Sequence, residues 1–423
     1  MIKKLVTITF LIISTFSFAQ KTNSSPYSFF GIGDQAKIKS VEEIAMGQMG
    51  GVLNSEYQLS FTNPASYASL LWTTYVFAAA NKNNNIDDGT NTQSSASTGL
   101  TYIALGIPIR GNQGLAFGMQ LNTTVGYSLL ESFYNEDDVL AETNLLSGDG
   151  GTNRIFLGYG YKVPNGLNLG LEVAYIFGGI ENSIVNRRLD VQLATKNETI
   201  SSIKGFSYKL GVQYIKNISP KLKFKLGTTF ELAYDLDEKG DEYLYSIDNN
   251  ILDEFALPRD TITANHYNAK IESPLKTILS AGIGEDHKWF IGAEYTFQDA
   301  INFKGPIYNE NSSYNYINSS IISVGGFFTP KYNSISSYWN RVTYRTGFSY
   351  KKLGLVVNNT KIDDIGMSFG VSLPMGLRIS NINLGFELGK RGTTDNNLIK
   401  ENYYNFRLSI SLNDKWFSKR TIN

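Results

Sequence analysis

The feature that most constrains the fold is an alternation of apolar and polar residues along runs of about nine to twelve positions. The segment 166–177, GLNLGLEVAYIF, carries Leu, Val, Tyr or Phe at every second position, with Asn, Gly, Glu and Ala between them. The segments 289–297, 381–390 and 404–412 repeat this pattern. Because successive side chains of a β-strand point to opposite faces, each run forms a strand with one apolar face. Such runs are typical of transmembrane β-barrel strands.

A soluble β-sandwich also has alternating strands, but two features favour a membrane barrel. The runs are longer than the usual strand of about five to six residues. Aromatic residues also crowd the ends of the runs, where a barrel places its interfacial girdles; examples are Tyr159, Tyr161, Trp289 and Trp339. We therefore predict an all-β chain that forms a transmembrane antiparallel β-barrel.

The runs number about fourteen, and the connections between them alternate in length. Short connections belong to the periplasmic side of such a barrel and long loops to the outside, so the first strand is expected to run outward and both termini to be periplasmic. The predicted long loops are 81–97, 131–151, 185–202, 235–273, 305–316, 354–362 and 390–401. The barrel is expected over 71–413, with a periplasmic tail over 414–423.

The N-terminus predicts export. Residues 1–19 combine two early lysines, a short apolar run and small residues before Gln20, which is the pattern of a secretory signal peptide. The chain has no cysteine, so lipoprotein processing, disulfides and thiolate metal sites are excluded. Without Lys3 and Lys4, 36 basic residues face 38 acidic ones, which is no footprint for nucleic acid.

Enzyme chemistry has little support in the sequence. The two histidines, His266 and His287, fall in a predicted outer loop and a predicted periplasmic turn, on opposite sides of the membrane. The acidic segment that begins at Asp235 starts like a calcium loop but has Ser246 where the bidentate glutamate should be. We expect no catalytic residues, no metal site and no cofactor.

Residues 20–70 do not alternate and are predicted to fold into the barrel as a plug, or hatch. Ser40 followed by Glu43 is a capping box that opens a short helix. A barrel of about fourteen strands has a lumen too wide for wall side chains alone to fill, and this segment is rich in aromatic and apolar residues. Asn63 and Pro64 predict an Asx-type turn where the plug ends and the chain approaches the wall, although a plain turn before the first strand explains them equally.

At these residues the chain resembles the FadL family of outer-membrane transporters for long-chain fatty acids. The resemblance rests on MGQMGG at 46–51, NPASYASL at 63–70 and the strands that follow, and the ending at 406–420 looks like that of superfamily members from the Bacteroidetes. The resemblance implies a hatch in the lumen and hydrophobic ligands that enter from outside and leave sideways through the wall. It assigns no ligand-contact residue. The residues that match the hatch motif are Gly47, Gly50, Gly51, Asn63, Pro64 and Ala65.

The strand that starts near residue 115 contains Gly118 and Gly126, which predict a bend. The resemblance offers a second interpretation of the same glycines, a kink that makes a lateral opening in the wall.

Charged residues lie at predicted inward positions, where charges must pair or stay hydrated. They form either an ion-pair network that ties the wall to the plug or a cluster that binds a ligand or gates the lumen. Such a wall is more polar than a hydrocarbon channel requires. The residues are Arg154, Glu172, Lys209, Lys225, Glu231, Glu294, Arg345, Glu387 and Arg407.

Two functions are compatible with these features. The first is passive uptake of small hydrophobic molecules through a plugged outer-membrane barrel, with long-chain fatty acids as the leading ligand and membrane lipid as the surroundings. The second is a non-transporting barrel subunit of an outer-membrane secretion or assembly complex, as PorV-type members of the superfamily are, with other outer-membrane proteins as partners. A continuous apolar path would favour the first function, and a solidly packed lumen would favour the second.

Overall fold

The computed structural model describes residues 25–109, 111–189, 191–248, 258–306, 314–375 and 379–415. The predicted signal peptide and most of the predicted C-terminal tail lie outside these ranges. Within them, no helix has the length and apolar character needed to cross a membrane.

The described residues form one antiparallel sheet that closes on itself through the pairing of its last strand with its second. In chain order the strands are β1 (Asp34–Gln35), β2 (Thr73–Asp87), β3 (Thr92–Ile109), β4 (Gln113–Tyr134), β5 (Leu140–Val163), β6 (Leu167–Arg188), β7 (Leu193–Asn217), β8 (Leu222–Glu231), β9 (Tyr234–Asp248), β10 (Asp260–Ser273), β11 (Lys276–Glu285), β12 (Trp289–Gln298), β13 (Asn302–Lys304), β14 (Tyr314–Tyr316), β15 (Ser319–Phe328), β16 (Thr343–Val357), β17 (Thr360–Pro374), β18 (Asn381–Arg391) and β19 (Lys400–Asp414).

These segments make a closed barrel of 14 strands, as the alternation predicts. Two of the 14 strands are interrupted: β8 and β9 together form one, and β10 and β11 form another. The short segments β13 and β14 lie in the connection between β12 and β15 and are not counted as strands of the wall. The one α-helix in the described part of the chain, α1, is Val41–Ile44, and the 3-10 helices there are Pro26–Phe29, Pro64–Ser69, Pro164–Gly166, Trp339–Arg341 and Asp395–Asn397.

The two faces of the sheet differ as a membrane barrel requires. On β6, Leu169, Leu171 and Tyr175 are exposed on the outward face, whereas Glu172 between them is buried on the inward face. The apolar outward band is about ten residues high on each strand, which matches the roughly 25 Å band of outer-membrane barrels. On β7 the band ends before Lys204, a charged residue that is exposed on the outward face.

The predicted long loops are mostly wrong, because the strands continue far beyond the apolar band. We call the end of the barrel that carries the turns at 88–91 and 135–139 the outer end, and the opposite end the inner end. β4 to β7 have 22 to 25 residues each, so most of 131–151 and 185–202 is paired strand. Most of the described parts of 81–97, 235–273 and 354–362 are strand as well.

The polar composition of these segments suggested loops, but backbone pairing outside a membrane does not need apolar side chains. β2 starts and β19 ends at the inner end, so both ends of the wall lie on the same side. That this side is periplasmic stays a prediction. Of the predicted loop 305–316, residues 307–313 lie outside the described ranges and 314–316 form β14. The predicted loop 390–401 is irregular over 392–399, apart from a short 3-10 helix, and is strand at both ends.

Residues 25–72, which we call the N-terminal segment, contact the inner face of the wall through glycines. A Cβ atom on Gly347 would overlap the backbone N of Gly47, and one on Gly170 would overlap the backbone of Ala65. Glycine is the residue that permits such close approach of two backbones. Other wall glycines in the same kind of contact are Gly114 on β4, Gly160 on β5, Gly227 on β8 and Gly325 on β15.

We expect Gly347→Val to loosen this packing, because its side chain would meet backbone rather than a movable side chain. Overpacking of this kind costs about 1–3 kcal/mol or more. Unfolding of the purified protein in detergent, followed with increasing temperature, should show a lower midpoint than for the wild type. Thr346→Val is the matched control, since Thr346 is the exposed neighbour on the outward face, and it should leave the midpoint unchanged. Equal midpoints for the two variants would contradict the packing described here.

Candidate functional site

A buried carboxylate from the wall holds the glycine turn of the N-terminal segment. Glu294 lies on the inward face of β12, and its Oε2 accepts hydrogen bonds from the backbone N–H groups of Gly50 (2.9 Å) and Gly51 (2.7 Å). The Lys39 ammonium donates to Oε1 of the same carboxylate at 2.8 Å. The Ser280 hydroxyl donates to Oε2 at 3.0 Å. The negative charge is therefore fully engaged between wall and segment.

Two further ion-pair groups join the segment to β18 and β19. Lys37 pairs with Glu387, whose other oxygen lies 3.5 Å from Arg407. Arg391 donates to Asp34 at 2.9 Å and lies 3.4 Å from a carboxylate oxygen of Asp364 on β17. Because these groups are largely buried, each charge depends on its partner for compensation.

A fourth ion-pair group lies on β5 to β7. Glu172 pairs with Arg154 at 2.6 Å and with Lys209 at 3.0 Å, and it accepts a hydrogen bond from the Tyr67 hydroxyl at 3.2 Å. Burial and the neighbouring Glu172 charge raise the pKa of Tyr67, so this phenol is a neutral donor. Lys209 also donates to the carbonyl of Phe61, which again joins the wall to the segment.

The structure places all nine predicted inward charges on the inner face, and the remaining three have partners too. The Lys225 ammonium donates to Asn54 at 2.6 Å, Arg345 donates to the Ser372 hydroxyl, and Glu231 lies 3.9 Å from Lys276. These contacts favour the ion-pair interpretation over a free ligand-binding cluster. The role of the residues in function stays a prediction.

The six residues that match the hatch motif lie where the segment approaches the wall. Gly47 has φ +68°, a conformation that favours glycine, and it lies against the backbone of Phe348. The Asn63 side chain accepts a hydrogen bond from the N–H of Ala65 at 3.0 Å, which is the predicted Asx-type bond. Its amide donates to the carbonyls of Gly51, Val212 and Thr228. Pro64 then begins a 3-10 helix, so the chain reaches β2 only after another nine residues.

The charges of the segment itself were not predicted from the sequence. Asp34, Lys37 and Lys39 supply one side of each main ion pair to the wall. Glu43 was expected only to cap α1, and it does so. Its carboxylate also accepts hydrogen bonds from the Ser60 hydroxyl and the Thr62 N–H, which holds this later part of the segment beside α1. The sequence feature that could have indicated these contacts is the pair of lysines at alternate positions in a segment with no other lysine.

The wall has an opening between β3 and β4. Their ladder runs only from the pair Ile109 and Gln113 to the pair Tyr102 and Gln120, and no ladder among the described residues joins the outer parts of these two strands. There β1 pairs with β4 instead, through Asp34 opposite Thr124. Gly118 lies inside the paired part and Gly126 beyond it, so the opening begins between the two predicted bend positions.

The spaces inside the barrel differ in size and lining. Near the outer end, a cavity of about 90 Å³ is lined by apolar side chains such as Phe30 and Ile32 and by charged ones such as Lys276. At the inner end, a vestibule of about 690 Å³ is lined by polar side chains such as Lys223 and by apolar ones such as Phe290. The ion-paired layer of Glu294 and Glu387 lies at the level between them. In the part of the chain that the structure describes, no group of three His, Asp or Glu side chains could hold a metal ion.

Comparison with known proteins places this geometry in a wider group. The family model described as BamG matches residues 1–423. Similar solved structures include a Pseudomonas aeruginosa FadL homologue (12% identity, TM-score 0.60, covering 90% of this chain and 98% of that one). Two others are the Pseudomonas putida toluene transporter TodX (14%, 0.57, 90% and 98%) and the Ralstonia pickettii toluene transporter TbuX (13%, 0.56, 90% and 99%). No curated protein matches the sequence.

At such low identities, the likeness to these structures shows the fold alone. The barrel architecture that the resemblance implied is confirmed, whereas the relation to Bacteroidetes proteins stays a prediction.

We expect Glu294→Gln to loosen the N-terminal segment, because it leaves the Lys39 ammonium buried without its counter-charge. Breaking a buried pair in this way costs about 3–5 kcal/mol. The measurement is the rate at which a protease cleaves the segment in the detergent-solubilised protein, together with the unfolding midpoint. Both should change for Glu294→Gln and be restored in part by a second substitution, Lys39→Met.

The control is Glu272→Gln, which removes a similar but exposed pair with Lys304 at the outer end. It should change neither quantity, because solvent screens such pairs. A Glu294→Gln protein as stable and protease-resistant as this control would contradict the assigned role.

Proposed function

Because the chain belongs to the BamG family and has the fold of outer-membrane channels, we propose that it is an outer-membrane barrel closed by its own N-terminal segment. We further propose that it acts as a non-transporting subunit of an outer-membrane protein complex. In this proposal the segment is a permanent plug, and function lies in the surfaces that the barrel presents.

The observation that carries this proposal is the charged layer between the outer cavity and the inner vestibule. Lys39 with Glu294, Lys37 with Glu387, and Arg391 with Asp34 each join the segment to the wall. A hydrophobic molecule that crossed the lumen would have to separate such pairs, at about 3–5 kcal/mol each. It would also have to enter a layer whose polar groups its own surface cannot satisfy.

The outer end supplies a surface for a partner. β4, β5, β6 and β7 extend more than ten residues beyond the apolar band and form a tall wall on one side of the barrel. The strands on the opposite side, such as β18 with 11 residues, are much shorter. A rim of unequal height offers a large paired face to another protein.

Passive uptake of small hydrophobic molecules is the second candidate, and two observations favour it. The opening between β3 and β4 offers a sideways exit, and the cavity near Phe30 offers an entrance site. Long-chain fatty acids remain the leading ligand for this candidate, although a cavity of about 90 Å³ must widen to hold one. TodX and TbuX, which have this fold, are named as toluene transporters.

Deletion of residues 25–62 should turn a silent barrel into a conducting pore, because it removes the side chains and backbone that fill the lumen. The measurement is single-channel conductance in planar bilayers, with folding checked by the heat-dependent migration of the barrel on gels. The wild type should remain closed. A folded deletion variant that stays silent would contradict the plug.

Purification from the native outer membrane in mild detergent, followed by native mass spectrometry, separates the two candidates. We expect protein partners in fixed stoichiometry and no lipid-sized adduct. A chain without partners that retains a small hydrophobic adduct would contradict the subunit proposal and support uptake. The mass of the adduct would then identify the ligand class.

A further inference from the structure

A small polar cavity of about 60 Å³ lies inside the barrel beside the opening between β3 and β4. Tyr102 on β3 and Gln120 on β4 line it on either side of the point where their ladder ends. Lys82 on β2, Arg407 on β19 and the segment 34–39 also line it, together with residues such as Arg391, Glu401 and Asn405. The cavity therefore lies between the wall and the N-terminal segment.

Three hydrogen-bond donors in this cavity lack partners among the described residues. The ammonium of Lys82, a half-buried residue, makes no hydrogen bond and no ion pair within 4 Å to the described residues. The Nε2 of Gln120 and the Nε of Arg407 are buried and make no hydrogen bond. Gln120 is only 3% exposed, so bulk water does not satisfy its amide. Buried donors are rarely left unpaired in native proteins.

The nearby carboxylates are already occupied by other cations. Arg391 pairs with Asp34 and Asp364, and Lys37 pairs with Glu387. Glu401 lies 3.9 Å from Arg391 and accepts a hydrogen bond from the Ser25 hydroxyl. No carboxylate is thus left for Lys82 among the described residues. The lining acceptor without a partner, Oδ1 of Asn405, is uncharged and does not neutralise an ammonium.

We propose that this cavity binds a small monovalent anion, either a halide or a single carboxylate group, with Lys82 as its main counter-charge. Gln120 Nε2 and Arg407 Nε then donate to the same anion. A cavity of about 60 Å³ has room for a few water molecules, which is the scale of a halide or one carboxylate group. The anion comes either from solution or from the head of a membrane amphiphile that reaches the cavity through the opening.

This inference goes beyond the proposed function, since it requires neither transport nor a partner. In this inference the bound anion has a structural role. Because the segment 34–39 and strands β2 and β19 all line the cavity, a bound anion links the N-terminal segment to the strands that close the barrel.

The test is the unfolding midpoint of the full-length protein in detergent, measured with sodium bromide and with sodium sulfate at equal ionic strength. Bromide should raise the midpoint by a few degrees and the rise should saturate, because a ligand that binds only the folded state stabilises it. Hexanoate and hexanol, compared in the sulfate buffer, test the second source. Stabilisation by bromide indicates a free ion, and stabilisation by hexanoate alone indicates an amphiphile head.

Two variants and a control decide the site. Lys82→Met should abolish the response, while Lys352→Met, which removes an exposed lysine from the outward face of β16, should retain it. Gln120→Glu places a carboxylate in the cavity, so it should raise the midpoint in sulfate and no longer respond to bromide or hexanoate. The proposal is overturned if neither anion stabilises the wild type, or if Lys82→Met responds as the wild type does.

Discussion

Every backbone N–H and C=O group within a lipid bilayer must find its hydrogen-bond partner inside the protein, and the rest of this structure depends on that requirement. The closed ladder meets it for the wall, from β2 round to β19. The ladder between β3 and β4 ends at the pair Tyr102 and Gln120, close to the outer edge of the apolar band on β4. Beyond that point β1 pairs with β4, and the Ala36 N–H donates to the carbonyl of Asn122 at 2.9 Å. These contacts cover part of the free edge of β4. The N-terminal segment is thus both the filling of the barrel and a part of its wall.

The interior of the barrel has an apolar layer and an ion-paired layer, because successive parts of the N-terminal segment carry different side chains. Its first residues bring Phe29 and Ile32 into apolar clusters near the outer end. Its middle brings the lysines that pair with Glu294 and Glu387. The glycines of the wall allow this layer to pack backbone against backbone, with a small cavity on its outer side and the larger vestibule at the inner end. A fold shared with hydrocarbon channels therefore encloses an interior that is chemically unlike a hydrocarbon path.

The sequence predicted the strands well where lipid imposes a two-residue period, because the membrane makes one face apolar and leaves the other polar. The prediction failed above the membrane, where water contacts both faces and the period disappears although the ladder continues, as in 131–151 and 185–202. Inward charges such as Glu294 followed from the same period. Their partners in the segment did not, because Lys37 and Lys39 lie in a stretch whose path is set by contacts with distant strands rather than by local propensity.

The contacts of the N-terminal segment also constrain the order in which the molecule is assembled. Ser25 bonds to Glu401, which lies 376 positions later in the chain, and Arg391 bonds to Asp34. The segment is synthesised before any strand of the wall, yet its complete set of partners exists only when β18 and β19 are in place. Until then its lysines and aromatic residues lack their final environment. The segment therefore reaches its full set of contacts only once the ring has closed, and a barrel that lacked β18 and β19 would lack the partners of Ser25, Asp34 and Lys37.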